Sequence, residues 1–268
     1  MTLLYESRRV LIWGKTYPEL SKRHKETVCT GGCTEDGKPV RLYPVDFRYL
    51  TGDGQYRLYD WIQLPIAKSD KDTRPESFKV RAEQISIGEH LGTGNNWRDR
   101  TAVVFRDLSW HYGCLEELKA LQKLERRSIG MVAVGSVDEV QVIDRPAEEM
   151  TEHAEGLAAL KGKGDLFGVE AKDLEFIPFR LRLRWKCAGG SSCTGHSASV
   201  LDWGLQELGR REGKEKARQK LESLATLTRH DLHLYMGNLF SRQYIFSCIG
   251  LWYPLRTASD PQGVLPLS

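Results

Sequence analysis

Hydrophobic and polar positions along this chain follow two periods, one of two residues and one near three and a half. The two-residue period is clearest over residues 176–187. There Phe179, Leu181, Leu183 and Trp185 fall on one side and Arg180, Arg182, Arg184 and Lys186 on the other, which predicts a half-buried strand. Shorter apolar runs predict strands over 8–13, 26–33, 40–45, 56–66, 78–87, 131–137 and 140–143. Asp36-Gly37 supplies a hairpin turn between the second and third of these. Leu115, Leu118, Leu121 and Leu124 stand three residues apart and predict a short helix. An acidic helical run follows Pro146 over 148–160. Residues 199–227 predict a long charged helix, capped by Ser197 or Ser199 and split at Gly213. Strands over 231–237 and 244–253 close the pattern. Residues 67–77 and 88–96 read as exposed loops, and the tail from 257 as loose.

This order of elements predicts an α+β fold. Residues 1–146 form a small bent sheet or barrel, resembling PUA or ASCH modules. A linker with a helix spans 147–175. Residues 176–268 form an α+β part, read as strand, helix, strand and strand around a Cys/His metal knot. Composition changes this picture little. The 268 residues are 40% apolar and 28% charged, as in ordinary globular proteins. A net charge of +3 leaves attraction for nucleic acid to local patches. No apolar run approaches the ~18 residues needed to cross a bilayer, and the first residues lack a signal-peptide core, so a cytoplasmic protein without membrane contact is expected.

The six cysteines are Cys29, Cys33, Cys114, Cys187, Cys193 and Cys248. In a cytoplasmic chain of this size they point to metal binding, catalysis or burial rather than disulfides. Cys187, Cys193 and His196 lie between a strand and a helix in a stretch of small residues, a spacing that presents soft ligands to one ion, expected to be Zn2+. Water in the fourth position would make the site catalytic; a protein ligand would make it structural. His233 is the preferred fourth ligand, ahead of His230, Asp202 and Cys248, because its strand could pair beside the one ending at Cys187. Cys114 reads as an isolated thiol.

Cys29 is a second candidate centre. A nearby cation, Lys15 or Arg41, would make it a nucleophile, and Gly31 and Gly32 would admit a substrate to the backbone. A small apolar residue inside a barrel strand is the alternative reading. In the loop from Asp70 to Ser77, Glu76 could act as a general acid or base, and Arg74 could hold a phosphate or carboxylate. With Asp202, the candidate catalytic set is Cys29, Glu76, Lys15 and Asp202. The candidate nucleic-acid contacts are Arg180, Arg182, Arg184, Lys186, Arg41 and Arg74, the first four spaced ~6.6 Å apart like successive phosphates. Walker, dinucleotide-binding, nucleophile-elbow and zinc-deaminase patterns are all missing.

Several short runs carry a family resemblance. They are Lys15-Thr-Tyr-Pro18, Glu26-Thr-Val-Cys-Thr-Gly31, Gly37-Lys-Pro-Val-Arg-Leu-Tyr-Pro44, Arg74-Pro-Glu-Ser77, Cys193-Thr-Gly-His196 and Asp202-Trp203. Together they resemble a prokaryotic family of DNA-modification and defence loci, and within it the nitrile-hydrating component of the deazaguanine DNA-modification system. The chain departs from that pattern at Gly204, where an acid is expected. The resemblance implies an enzyme that hydrates the nitrile of 7-cyano-7-deazaguanine in DNA to the amide, with DNA and other proteins of the same system as partners. A nucleic-acid-binding module with structural zinc and a restriction nuclease are the alternatives.

Overall fold

Strand β1 (Glu6–Lys15) begins a first sheet that continues through β2 (Glu19–Ser21), β3 (Lys25–Thr34), β4 (Pro39–Val45), β5 (Asp60–Ala67), β6 (Ser77–Val80) and β7 (Ser86–His90). The computed structural model describes residues 3–21, 24–50, 54–69, 71–162, 171–189 and 193–256. Hydrogen bonding runs β1-β3-β4-β6-β5, and β5 pairs back to β1, so these strands close on themselves. β2 and β7 lie outside the ring, on β3 and β5. The second sheet comprises β8 (His111–Tyr112), β9 (Ile129–Asp144), β10 (Phe179–Cys187), β11 (His196–Val200), β12 (His233–Leu239) and β13 (Arg242–Trp252). It too closes, as β10-β11-β13-β12-β9 with β9 returning to β10, while β8 sits outside on β9. Closure satisfies the edges that an open sheet would expose. The α+β class is as expected, with two small barrel-like sheets where one was anticipated.

β9 makes the second closure possible. Residues 129–133 pair with β12 and residues 134–144 with β10. The expected strands at 131–137 and 140–143 are therefore one long bent strand, with register shifts opposite Trp185 and Cys187. This places β9 in the second sheet. The strands divide between His90 and His111, ahead of the linker expected at 147–175, because a barrel strand takes its partners from space rather than from the nearest sequence.

Among the described residues five α-helices accompany the sheets: α1 (Gly94–Val104), α2 (Leu115–Glu125), α3 (Ala147–Lys161), α4 (Trp203–Glu212) and α5 (Lys214–Leu224). α1 falls partly in the stretch read as a loop, since Gly-Asn-Asn opens it and its residues lack an apolar stripe. The predicted strand at 78–87 is interrupted by a 3-10 turn over Ala82–Gln84, which separates β6 from β7. Gly213 parts α4 from α5 with φ +94, as expected. The cap of α4, however, is Asp202, whose carboxylate accepts from Leu205 N at 3.0 Å; Ser197 and Ser199 belong to β11. No helix among the described residues is long and apolar enough to cross a membrane. The expected loose tail lies outside the described residues.

The barrels meet through stacked rings. Trp13 of β1 lies 4.3 Å from Tyr235 of β12 at an interplanar angle of 16°, and 5.7 Å from Trp110. All three are buried and share one core cluster. A Cβ at Gly31 would meet the Trp13 ring at 2.4 Å, so that glycine leaves room for the stack.

Candidate metal centre and cysteine–arginine site

The alternation of β10 carries Cys187 to the buried side, behind Phe179, Leu181, Leu183 and Trp185. Cys193 and His196 stand at the entry to β11, where His196 pairs opposite Trp185. The intervening residues 190–192 lie outside the described residues. A fourth group arrives from far upstream. Cys114 caps the start of α2, directly after β8. The ligand atoms of Cys114, Cys187, Cys193 and His196 all lie within 4.8 Å of one another. His196 Nε2 is 3.4 Å from Cys193 Sγ and 3.7 Å from Cys114 Sγ. A tetrahedral ion with bonds of about 2.3 Å to sulfur and about 2.0 Å to nitrogen sets these atoms about 3.5 Å apart. The group can hold a metal ion.

Its surroundings suit that task. Leu115 N donates to Cys187 Sγ and Cys187 N donates to Cys193 Sγ, both at 3.4 Å. Burial pushes the Cys187 thiol up, and Cys114 and Cys193 push it the same way. Burial also raises the Cys193 thiol, but N–H donors from Cys187 and Gly195 outweigh it and leave the group below its usual range. Burial, with Lys119 near by, lowers His196 against the pull of Glu116, which favours a neutral ring. The His196 Nδ1 faces the Glu116 carboxylate at 3.7 Å, so Nε2 is the nitrogen presented to the sulfurs. Gly113 and Gly189 bring the two strand ends together, Gly189 N donating to Gly113 O at 2.9 Å. A Cβ on Gly189 would sit 2.8 Å from Gly113 Cα.

The expected fourth ligand is corrected. His233 pairs with Asp231 at 3.2 Å and packs on Phe105, outside the cluster. His230 Nδ1 contacts Tyr253 O, and the Cys248 thiol donates to Gly250 O. Cys114 escaped notice because nothing adjacent to it in sequence is a ligand. Strand pairing across β8 and β9, which no local spacing reveals, delivers it.

A second centre forms where β3 and β4 face the other barrel. Arg41 Nη1 donates to Cys29 Sγ at 2.9 Å, and its Nη2 donates to Ser128 O at 2.8 Å. The arginine is 3% exposed, whereas the cysteine is only half-buried and so reachable. Glu76 anchors the same assembly. Its Oε2 accepts from Ser128 N at 3.2 Å and Ser128 Oγ at 3.0 Å, and its main-chain oxygen accepts from Arg41 N at 2.8 Å. Burial pushes the Glu76 carboxyl up, against opposition from Ser128, Arg127 and Arg41. Its Oε1 has no hydrogen-bond partner. Of the two cations expected beside Cys29, Arg41 is therefore the one in contact.

Lys15 turns into the first barrel instead. Its Nζ lies 3.5 Å from the Phe47 ring centroid and 4.6 Å from that of Trp203, and donates to Tyr56 O at 3.4 Å. Thr16 links Cys29 to Asp202. It exchanges hydrogen bonds with Cys29, Thr16 N to Cys29 O at 3.0 Å and Cys29 N to Thr16 Oγ1 at 3.1 Å, and bridges to Asp202. Burial lowers Lys15 to about 8, opposed by Asp202 and Asp60. Burial raises Asp202 to about 6, opposed by the N–H groups of Leu205 and Gly204 and by Lys15.

These two groups give stability a pH dependence. The folded state holds the Asp202 proton more tightly than an unfolded aspartate near 3.8 does. Its contribution is full below about pH 4 and is lost as pH rises through about 6, amounting to about 3 kcal/mol. Lys15 has the opposite sense: its contribution is present in the ordinary lysine range and is lost as pH falls through about 8. Asp202→Asn, which keeps a cap for α4, is expected to flatten the loss of stability between about pH 4 and 6. Urea unfolding at stepped pH measures this, and a slope identical to that of the unaltered chain would disprove the assignment.

The proposed phosphate contacts fare unevenly. Arg180, Arg184 and Lys186 are exposed on β10 and Arg182 is half-buried. Two of the row carry acids: Arg180 pairs with Glu149 at 2.6 Å and Arg184 with Glu139 at 3.4 Å. Arg41 and Arg74 are corrected to internal ties. Arg74 is buried, donates to both oxygens of Asp72 and reaches Asn238 O at 3.1 Å. Their guanidinium groups are spent on the protein, so neither offers a surface charge to a backbone.

Residues 6–106 match the family described as Domain of unknown function (DUF8758). Residues 113–265, more than half of the chain, match Domain of unknown function (DUF8757). The chain belongs to the DUF8757 family. The two matches part between α1 and α2, with α1 in the first match, β8 in the gap and Cys114 near the start of the second. All four Cys/His ligands therefore lie within the DUF8757 region, while Cys29, Arg41 and Glu76 lie in the DUF8758 region. No curated protein matches the chain.

Proposed function

We propose that this protein is a cysteine-dependent enzyme that hydrates the nitrile of 7-cyano-7-deazaguanine in DNA to the amide, with a structural Zn2+ on Cys114, Cys187, Cys193 and His196. One observation carries the reading. Runs scattered through the sequence that share the resemblance set Arg41 on Cys29 Sγ, tie Glu76 to the Arg41 main chain, and place Thr16, beside Lys15, between Cys29 and Asp202. Four protein ligands leave no open position on the ion, so the metal braces the fold and the nucleophile lies elsewhere.

In this reaction Cys29 sulfur adds to the nitrile carbon and a proton goes to the nitrile nitrogen, giving a thioimidate. Water then adds to the same carbon. The C–S bond breaks, the thiol regains its proton, and the amide leaves with one added water. Arg41 neutralises charge on sulfur as it forms and as it departs. Glu76 positions Arg41 through Ser128 and the Arg41 main chain. Lys15 and Asp202 lie on the far side of the Thr16 bridge, where Lys15 donates to Tyr56 O and Asp202 caps α4, and they hold that end of the site in place. The exposed cations of β10 hold the DNA backbone, and the base leaves the stack to reach the half-buried thiol.

Incubation with an oligonucleotide containing the cyano base, followed by nucleoside mass spectrometry, tests this. The expected product carries one added water, and Cys29→Ser lowers its formation by about 10³-fold or more with the far-ultraviolet spectrum unchanged. Full turnover by Cys29→Ser would overturn the nucleophile. A second reading, a nucleic-acid-binding module with structural zinc, is favoured only by the closed ligand set, and it expects salt-dependent binding with no product. Among the described residues the group of three or more ligating side chains is the Cys/His cluster, which suits a soft ion rather than Mg2+, so it does not favour the nuclease alternative.

A further inference from the structure

A cleft away from both centres has the chemistry of a nucleotide site. It lies beside α1 and the end of β13, holds about 570 Å³, and is lined by Tyr59, Trp97, Arg100, His230 and Tyr253 among others. Arg100 decides its character. The side chain is 6% exposed, and its guanidinium lies 3.7 Å over the Tyr59 ring centroid and 4.6 Å over that of Trp97. Its Nε donates to Leu91 O at 2.8 Å. Among the described residues no carboxylate pairs with it, although most buried charges require one. Burial pushes this guanidinium down from its ordinary range, against the tyrosines around it. Among the described residues the cleft thus holds a buried cation without a counterion, beside rings able to stack on a planar group.

The backbone adds a second, independent sign. Asn95, Asn96 and Trp97 have φ of 49°, 51° and 66°, three consecutive side chains in the left-handed region. Such conformations persist where the surroundings impose them, and they cluster at ligand sites. Here the clamp is visible. Asn96 holds both polar groups of Leu255, its Oδ1 accepting from Leu255 N at 2.8 Å and its Nδ2 donating to Leu255 O at 2.5 Å. The strained turn seats Trp97 against Tyr59, Trp252 and Tyr253 at ring distances of 4.9–5.5 Å.

We propose that this cleft binds a nucleoside 5′-monophosphate, free or as one unit of a single strand, with the phosphate on Arg100 and the base stacked against Tyr253 and Trp97. The charge answers the unpaired guanidinium, and a planar base fits rings that a saturated ligand would leave unfilled. The proposal stands apart from the Cys29 chemistry.

Titration of the full chain with adenosine 5′-monophosphate, adenosine and ribose 5-phosphate, followed by tryptophan fluorescence and calorimetry, tests it. Saturable binding of the monophosphate is expected, with both fragments at least tenfold weaker. Arg100→Met should weaken the monophosphate at least tenfold, and Tyr253→Ala serves the same purpose if Arg100→Met does not fold. Cys29→Ser should bind as tightly as the unaltered chain, which separates this site from the proposed reaction. A parallel titration with a single-stranded oligonucleotide, sensitive to Arg100→Met, would identify the strand rather than the free nucleotide as the source. No saturable binding in either arm, or binding unmoved by both substitutions, would overturn the proposal.

Discussion

Cys114→Ser is expected to lose the bound metal and to lower the melting temperature by about 10–20 °C. The size follows from where the ligands sit. Cys114 starts α2, Cys187 ends β10, and Cys193 and His196 enter β11, so one ion held there would tie three segments together. Structural zinc sites contribute about 10–16 kcal/mol of apparent binding free energy, comparable to the whole stability of a domain at about 5–15 kcal/mol. Serine keeps the volume of the side chain but is a far poorer ligand for a soft site. Without the ion the buried thiols of Cys114 and Cys187 face Cys193 with no positive charge among them, and the close approach of Gly113 and Gly189 loses its purpose. Circular dichroism melts paired with elemental analysis on the same samples measure both effects. His233→Ala is the control and should retain its metal. A Cys114→Ser protein with a full complement of zinc would rule out the four-ligand site.

The second large effect belongs to Arg41. Replacing it with methionine keeps an unbranched apolar stem but removes the donors that reach Cys29 Sγ and Ser128 O. Turnover should fall about 10²–10³-fold, the range found when a preorganised donor to a developing charge is lost. Alkylation of Cys29 by iodoacetamide at pH 7 should slow about fivefold or more, since the donor that faces charge developing on the sulfur is gone. Arg41→Lys should recover part of the alkylation rate and little of the turnover, because an ammonium cannot span sulfur and carbonyl as the planar fork does. Mapping by peptide mass spectrometry assigns the modified cysteine. Equal alkylation rates in Arg41→Met and the unaltered chain would remove Arg41 from the reaction.

Much of this could be read from side-chain order where the chain signals itself locally. β10 announced its buried face through strict alternation, and Cys187, Cys193 and His196 announced themselves by spacing. Gly213 marked a break that the helices respect. What stayed hidden depends on contacts distant in sequence. Cys114 becomes a ligand only because β8 docks on β9 and Gly189 meets Gly113. β9 conceals its two roles because each half pairs with a different strand. α1 carries no apolar stripe, and its turn through Asn95–Trp97 depends on Leu255, 159 residues away in sequence. Arg41 and Arg74 looked like surface cations, yet charge alone does not reveal whether a carbonyl or a thiol waits inside.

The position of Arg41 has a consequence for how the two matched regions can be inherited. Its guanidinium takes one partner from each: sulfur in the DUF8758 region and the Ser128 carbonyl in the DUF8757 region. Thr16 likewise bridges to Asp202 across the same divide. Neither region alone holds a complete cysteine site. If the two were encoded as separate chains, the Arg41 contacts with Cys29 and Ser128 would form only on assembly, and the proposed reaction would be lost with either region.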